Sequence, residues 1–292
     1  SSLFDIYGKY QYLVEYNNSI NLMKGAIECC ERFSTVSPRY AQEIKDPYFA
    51  HGLDPIVRRN EFKLSGILNG IDDIGYNPQF DTHIFANYTS DDMSNKAVCK
   101  AELQKMLGLP VKPQTPVISM ISRLVSHKGF DLVLNIIEEL LQSDVQFVVL
   151  GTGDSHYEGF FKDLARRYPE KMSAQIMFNN DLSRKIYSGS DIFLMPSKSE
   201  PCGLSQMIAC RYATVPIVRE TGGLYDSIKP QQNGYTFTNY NAHDMLYVIR
   251  QAMEDYKNKE LWSGLMYRAA TTDFSWKNSA KQYEALYLSM LN

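Results

Sequence analysis

From residue 116 onward, short apolar runs alternate with amphipathic stretches, and this alternation is the strongest constraint on the fold. Apolar runs predict strands over 117–121, 145–150, 175–178, 191–195, 215–218 and 235–237. Helical periodicity predicts helices in the stretches between and after them, over 131–141, 157–168, 181–189, 204–212 and 243–257. Such an alternation forms a doubly wound parallel sheet with helices on both faces. We therefore predict an α/β fold.

The pattern of predicted strands divides the chain into three parts. Residues 1–72 carry only one or two predicted strands, too few for a second doubly wound domain. The long polar connection over 73–95 is interpreted as a linker into the second domain. The alternating unit then spans 73–274, and an amphipathic helix occupies the remainder, 275–292.

Composition excludes several classes of protein. The 292 residues carry a net charge of −3, which argues against a general nucleic-acid-binding or membrane-binding surface. No run reaches transmembrane length, and the first residues show no signal-peptide pattern. The five cysteines and five histidines lack metal-ligand spacing, so we expect no metal site and thiols in a reducing compartment.

The stretch 190–224 concentrates the candidate chemistry. It reads as strand, loop, helix, strand and loop, with Glu200 in the first loop and Gly222 and Gly223 in the second. Loops that leave adjacent parallel strands share the carboxyl edge of a sheet, where ligands bind. A carboxylate facing free glycine amides suits the sugar and the diphosphate of a sugar nucleotide. A solvated loop acid and ordinary turn glycines would account for the same residues.

Two cations follow the first strand of the sheet. Arg123 and Lys128 lie in the stretch SRLVSHKG, between a predicted strand and a predicted helix. Cations there would neutralise the charge that develops on a departing nucleoside diphosphate. A solvated basic loop is the competing interpretation, but the position on the same sheet edge as Glu200 favours the phosphate site.

The motifs together resemble a known family. The string EPCGLSQ over 200–206, followed by RETGGL over 219–224, resembles the donor-site signature of bacterial glycogen synthases and plant starch synthases. Further stretches match that family in order: LSGILNGID over 64–72, SRL over 122–124 with KG over 128–129, and DFSW over 273–276. The resemblance covers nearly the whole chain.

The resemblance implies a GT-B fold, in which two Rossmann-like domains enclose a cleft. Residues 1–72 would then be the terminal part of the N-terminal, acceptor-side domain, and 73–274 the Rossmann-like domain that binds the nucleotide sugar. The helix over 275–292 would pack back on the N-terminal domain. The family's Lys-x-Gly-Gly-Leu loop is absent here. We therefore expect a C-terminal part that lacks most of its N-terminal domain and is inactive alone.

The resemblance also implies an activity and a site. Members transfer glucose from ADP-glucose to the non-reducing end of an α-1,4-glucan with retention. The matching Arg123 and Lys128 contact the donor phosphates, and Glu200 lies beside the donor glucose. Residues implied to bind or line the donor pocket are Cys202, Gly203, Leu204, Thr221, Gly222, Gly223, Leu224, Phe178 against the adenine, Gly151, Gly153 and, near the interdomain cleft, Asn69. A core position explains Phe178 equally well. The GTG stretch is a weak signal alone, because it is also an ordinary βα turn, and a plain Asn-Gly turn is the competing account of Asn69.

Departures and rivals complete the prediction. Many retaining glycosyltransferases carry a second Glu eight residues after the first, where this chain has Ile208, so a ribose contact from that position is in doubt. Cys202 is not expected to be a nucleophile, because no His lies near it in sequence. Two alternative functions stay open. One is a nucleotide-binding module without catalysis. The other is a UDP-glucose-dependent retaining enzyme, and the PCGL string argues against this second alternative. The resemblance implies no cofactor and a cytoplasmic location, or a plastid in a plant.

Overall fold

A computed structural model describes residues 3–291, with side chains from residue 8 onward. The N-terminal part consists of α1 (Leu3–Val14), β1 (Glu15–Tyr16), β2 (Ser19–Ile20), α2 (Leu22–Cys29), β3 (Phe33–Thr35), α3 (Pro38–Glu43), α4 (Asp54–Arg59) and β4 (Leu64–Gly66). Strands β3 and β4 pair in parallel. Helices α2 and α3 begin where Asn21 and Ser37 accept hydrogen bonds from amides of the first helical turn.

The remaining chain alternates between strands and helices. Its strands are β5 (Val117–Ile121), β6 (Gln146–Leu150), β7 (Met172–Gln175), β8 (Ile192–Met195), β9 (Val215–Arg219) and β10 (Tyr235–Phe237). Its helices are α5 (Ser94–Met106), α6 (Phe130–Leu140), α7 (Ser155–Arg167), α8 (Asn180–Gly189), α9 (Ser205–Arg211), α10 (Gly222–Ser227), α11 (Ala242–Tyr256), α12 (Lys259–Thr271) and α13 (Trp276–Leu288).

The predicted doubly wound sheet is confirmed. Among the described residues, six parallel strands form one sheet in the order β10-β9-β8-β5-β6-β7. The chain runs outward from β5 to β7 and then returns to place β8 beside β5. Helices α6 and α11 cover one face, burying Val133, Ile137 and Ile249. Helix α9 covers the other with Met207 and Cys210. The reversal between β5 and β8 creates the switch point at which open α/β sheets bind ligands.

Two local predictions are wrong. The strand predicted over 175–178 is β7 at Met172–Gln175, because pairing with β6 ends where Leu150 faces Gln175. Phe178 consequently lies in the following loop. Helix α12 was not predicted, although Trp262, Leu265 and Ala269 recur at helical spacing and are buried.

The connection over 73–95 packs against the sheet domain. Asp81 accepts a hydrogen bond from Arg184 of α8 at 2.9 Å, and Tyr88 donates to the main-chain oxygen of Tyr212 at 2.8 Å. Close to the C-terminus, the amide of Ile71 donates to the oxygen of Phe274 at 2.8 Å. The division into 1–72, 73–274 and 275–292 remains a prediction. No helix among the described residues is long and apolar enough to cross a membrane.

Candidate functional site

Lys128 and Glu200 lie in contact at the switch point. The Nζ atom of Lys128 is 2.5 Å from Oε2 of Glu200, and Ser197 Oγ donates to the same oxygen at 3.3 Å. Glu200 is 7% exposed. A carboxylate that is removed from water requires such partners. The loops after β5 and β8 therefore carry a buried ion pair at the carboxyl edge of the sheet.

Close packing between the same loops holds Lys128 in place. Gly129 has a φ of +82°, and a Cβ there would lie 2.2 Å from the main-chain oxygen of Pro196. Only glycine fits this approach. The amide of Lys198 donates to the oxygen of His127 at 2.9 Å. Burial, followed by the neighbouring charges of Lys128 and Arg123, lowers the pKa of His127, so a neutral imidazole is favoured beside the cations.

Arg123 lines a cavity of about 270 Å³ at the ends of β5 and β6. Gly151 lines it too, and a Cβ there would lie 1.8 Å from the oxygen of Ser122, so the two loops approach closely only because of this glycine. Gly153 packs against Leu124 instead. A Cβ on Gly153 would lie 2.2 Å from the main-chain oxygen of Leu124. Phe178 lies at the cavity wall and is 85% exposed, which rules out the core position considered for it.

The loop after β9 differs from the prediction, because its amides are not free. The Gly222 amide donates to both carboxylate oxygens of Glu43, at 3.0 and 3.1 Å. The Gly223 amide donates to the main-chain oxygen of Glu200, and the Leu224 amide donates to that of Thr221. Bare amides were expected here to receive phosphate. Instead a carboxylate from α3 occupies the start of α10.

The sequence pattern did not indicate a role for Glu43. It is 7% exposed, but its partner Thr221 lies 178 residues away. Nothing in the local sequence distinguishes it from a solvated acid on a short helix. Its burial follows from the tertiary contact between α3 and α10.

Free amides are found instead at the start of α9. Among the described residues, no acceptor takes the amides of Leu204 or Ser205, and Ser205 lines the same cavity as Arg123. Gly203 precedes them with a φ of +68°, in the left-handed region that favours glycine. Unpaired amides at a helix start favour anions.

Cys202, in the same loop, is a neighbour of Asn69. Burial raises the pKa of the Cys202 thiol to about 11, against a smaller lowering by the backbone of Asn69. The thiol is therefore protonated at neutral pH. Leu224, also predicted at the site, is fully buried. Among the described residues, no group of three or more His, Cys, Asp or Glu side chains could hold a metal ion.

Comparison with known proteins identifies matching families. Residues 105–264 match the family described as "Glycosyl transferases group 1", and residues 4–59 match "Starch synthase catalytic domain". The chain is 51% identical to a glycogen synthase from Clostridium acetobutylicum over 285 residues, covering 95% of this chain and 60% of that protein. A Bacillus cereus glycogen synthase is 47% identical with the same coverage. The chain thus spans about 60% of the length of these curated relatives.

Solved structures show the same relationship. The catalytic domain of starch synthase IV from Arabidopsis thaliana, bound to ADP and acarbose, superposes with a TM-score of 0.88 at 36% identity. That match covers 94% of this chain and 59% of the other. A sucrose-phosphate synthase from Thermosynechococcus elongatus matches with a TM-score of 0.64 at 16% identity, covering 97% and 65%, which supports the fold alone.

Proposed function

The chain belongs to the glycosyl transferase group 1 family, among relatives that are glycogen and starch synthases, and from this membership we propose that the complete protein synthesises α-1,4-glucan. It transfers glucose from ADP-glucose to the non-reducing end of the glucan, with retention of configuration. We assign the donor-binding part of the site to this chain. The part of the relatives that the chain does not match would supply most of the acceptor side.

The observation that carries this proposal is the buried Lys128–Glu200 pair at the same sheet edge as the cavity lined by Arg123. Departure of a nucleoside diphosphate places negative charge on its phosphate oxygens, which fixed cations stabilise. We assign that role to Arg123 and Lys128. Glu200 would lie next to the glucose, where a carboxylate accepts hydroxyl hydrogen bonds or stabilises an oxocarbenium-like transition state.

The remainder of the cavity suits the nucleotide. The exposed ring of Phe178 offers an aromatic face for the adenine. The unpaired amides of Leu204 and Ser205 offer hydrogen-bond donors for a phosphate. In the proposed arrangement, the amides of Leu204 and Ser205 bind the phosphate in place of the α10 amides that the sequence suggested.

We also propose a mechanism for retention. Glu200 alone among the predicted site residues is a carboxylate, so the site offers no obvious pair for a double displacement. A front-face mechanism fits this inventory. The bond between the anomeric carbon and the departing diphosphate breaks, the acceptor hydroxyl oxygen bonds to that carbon on the same face, and a phosphate oxygen accepts the hydroxyl proton. No metal, organic cofactor, nucleic acid or membrane enters this scheme. We propose a cytoplasmic location, or a plastid for a plant protein.

The test combines binding with turnover. ADP and UDP are titrated calorimetrically into the protein, and glucose incorporation into glycogen is measured for the complete protein with ADP-glucose and with UDP-glucose. We expect ADP to bind and ADP-glucose to be the better donor. ADP binding without incorporation would support a nucleotide-binding module instead. Stronger binding of UDP, with UDP-glucose as the better donor, would support a UDP-glucose-dependent enzyme.

A further inference from the structure

Helix α3 carries a buried carboxylate, Glu43, that contacts the loop between β9 and α10. Both oxygens of Glu43 accept from the amide of Gly222, and both lie within 3.2 Å of Thr221 Oγ1. Thr221 is fully buried and Glu43 is 7% exposed. Arg39, one turn earlier on α3, donates to Glu43 from Nε at 3.3 Å. The carboxylate is thus fully engaged within the protein, and it joins the N-terminal part to the start of α10.

The start of α10 in turn supports the main chain of Glu200. The Gly223 amide donates to the Glu200 oxygen at 3.1 Å. A Cβ on Gly222 would lie 1.9 Å from that same oxygen, and one on Gly223 would lie 2.1 Å from the oxygen of Cys202. The Glu200 loop therefore rests directly on the backbone of α10, with no side chain between them.

A second contact from α3 reaches the same loop. Ser37 Oγ donates to the main-chain oxygen of Pro201 at 2.6 Å. Adjacent residues of the loop are therefore held by donors from α10 and from the start of α3. The main chain of the loop that presents Glu200 to Lys128 is therefore held at Glu200 by α10 and at Pro201 by Ser37.

We propose that Glu43 is a positioning residue for Glu200. Its carboxylate fixes the start of α10, and α10 fixes the main chain from which the Glu200 side chain projects. Because this inference rests on the proposed function, it assigns Glu43 an effect on glucose transfer. It assigns no contact with the donor. A small displacement of a group that acts on the reacting centre lowers the rate strongly without weakening distant binding contacts.

Three variants of the complete protein separate this role from simple stability. Glu43→Ala removes the carboxylate. Glu43→Gln keeps an oxygen at the position of Oε1, which lies 3.0 Å from the Gly222 amide and 3.2 Å from Thr221 Oγ1. Gln42→Ala is the matched control, because Gln42 is exposed on the same helix.

Steady-state kinetics with ADP-glucose and ADP titrations give the first readout. We expect Glu43→Ala to lower kcat by about 10- to 100-fold, with the dissociation constant of ADP changed by no more than about 2-fold. Glu43→Gln should keep kcat within about 3-fold of wild type, because its oxygen keeps the hydrogen bonds that Oε1 accepts from Gly222 and Thr221. An unchanged kcat in Glu43→Ala would overturn the inference. So would a parallel loss of kcat and ADP affinity, which would assign Glu43 a general structural role.

Amide hydrogen exchange of residues 223–225, whose amides donate to the main-chain oxygens of Glu200 and Thr221, gives a readout that does not depend on the donor when it is followed by mass spectrometry. Exchange should rise by about 10-fold in Glu43→Ala and stay unchanged in Gln42→Ala. An inactive wild-type protein would refute the proposed function, and the exchange result would still decide the role of Glu43. If Glu43→Ala does not fold, Thr221→Val removes a single hydroxyl contact. A lower kcat and faster exchange there support the inference, and wild-type values overturn it.

Discussion

At the scale of single residues, Lys128 and Glu200 depend on each other. Each is largely buried, with 19% and 9% of the respective side chain exposed, and their charged atoms are 2.5 Å apart. Removing one partner of such a pair leaves the other as a poorly compensated charge. The effects of substitution must therefore be separated into losses of folding stability and losses of ligand contact.

Replacing Glu200 should abolish transfer while sparing nucleotide binding. In Glu200→Ala, Lys128 loses its carboxylate partner and stays available to phosphate, so ADP affinity should remain nearly that of wild type. Glucose incorporation into glycogen by the complete protein should fall to background, because the carboxylate that we propose to lie beside the donor sugar is gone. Glu170→Ala, at an exposed position outside the donor-site motifs, is the control. A collapse of ADP affinity in Glu200→Ala would show that the assigned role is wrong.

Replacing Lys128, in contrast, should weaken nucleotide binding. Lys128→Ala removes the proposed charge-assisted contact to the diphosphate, which should weaken ADP binding by about 1–3 kcal/mol, or roughly 5- to 150-fold. Isothermal calorimetry measures this directly. Lys162→Ala on α7, whose side chain is 61% exposed, controls for a change of overall charge. Unaltered ADP affinity in Lys128→Ala would remove this residue from the proposed site.

At the scale of elements, short-range patterns determine much of what the sequence predicts. The apolar runs at β5, β8 and β9 are buried throughout or nearly so, and the period of two or 3.6 residues identifies strands and helices locally. The end of β7 was misplaced because register depends on β6 and not on the apolar residues that follow. The loop amides of α10 were misassigned because the carboxylate that binds them comes from a distant helix.

The connection over 73–95 gives a stability prediction at this scale. Asp81 has no exposed side-chain surface, and it pairs with Arg184 of α8 at 2.9 Å and with the hydroxyl of Tyr212, which follows α9. Asp81→Asn should destabilise the protein by about 3 kcal/mol, since it leaves Arg184 without its carboxylate. Urea unfolding at pH 7 measures this, with Asp73→Asn, an exposed position in the same connection, as the control. A difference below about 1 kcal/mol would mean that the connection is not anchored by this pair.

The contribution of Asp81 to folding stability should depend on pH. Burial alone would raise the pKa of Asp81, but hydrogen bonds from Tyr212, the His83 amide and Arg184 outweigh it and lower the pKa below its ordinary 3.8. A carboxylate with a lowered folded-state pKa stabilises the protein fully above its unfolded-state pKa and loses this effect as the pH falls through the folded-state pKa. The stability difference between wild type and Asp81→Asn should therefore shrink below about pH 4. A difference that stays constant down to pH 2 would contradict the assignment.

At the scale of the whole molecule, the N-terminal part contacts the sheet domain at two loops of the sheet edge that carries the proposed donor site. Glu43 and Ser37 contact the loops after β9 and β8, and Ser279 of α13 donates to the oxygen of Leu68. These contacts could not be predicted from sequence spacing, because each joins residues far apart in the chain. They place the N-terminal part against the same loops that present Glu200.

The central claim is that a nucleoside diphosphate binds at the switch point between β5 and β8. A crystal structure of this chain with ADP tests it most directly. We predict the diphosphate within hydrogen-bonding distance of Arg123, Lys128 and the amides of Leu204 and Ser205, with the adenine against Phe178. ADP bound at any other place in the molecule, with these groups left without a ligand, would contradict the account.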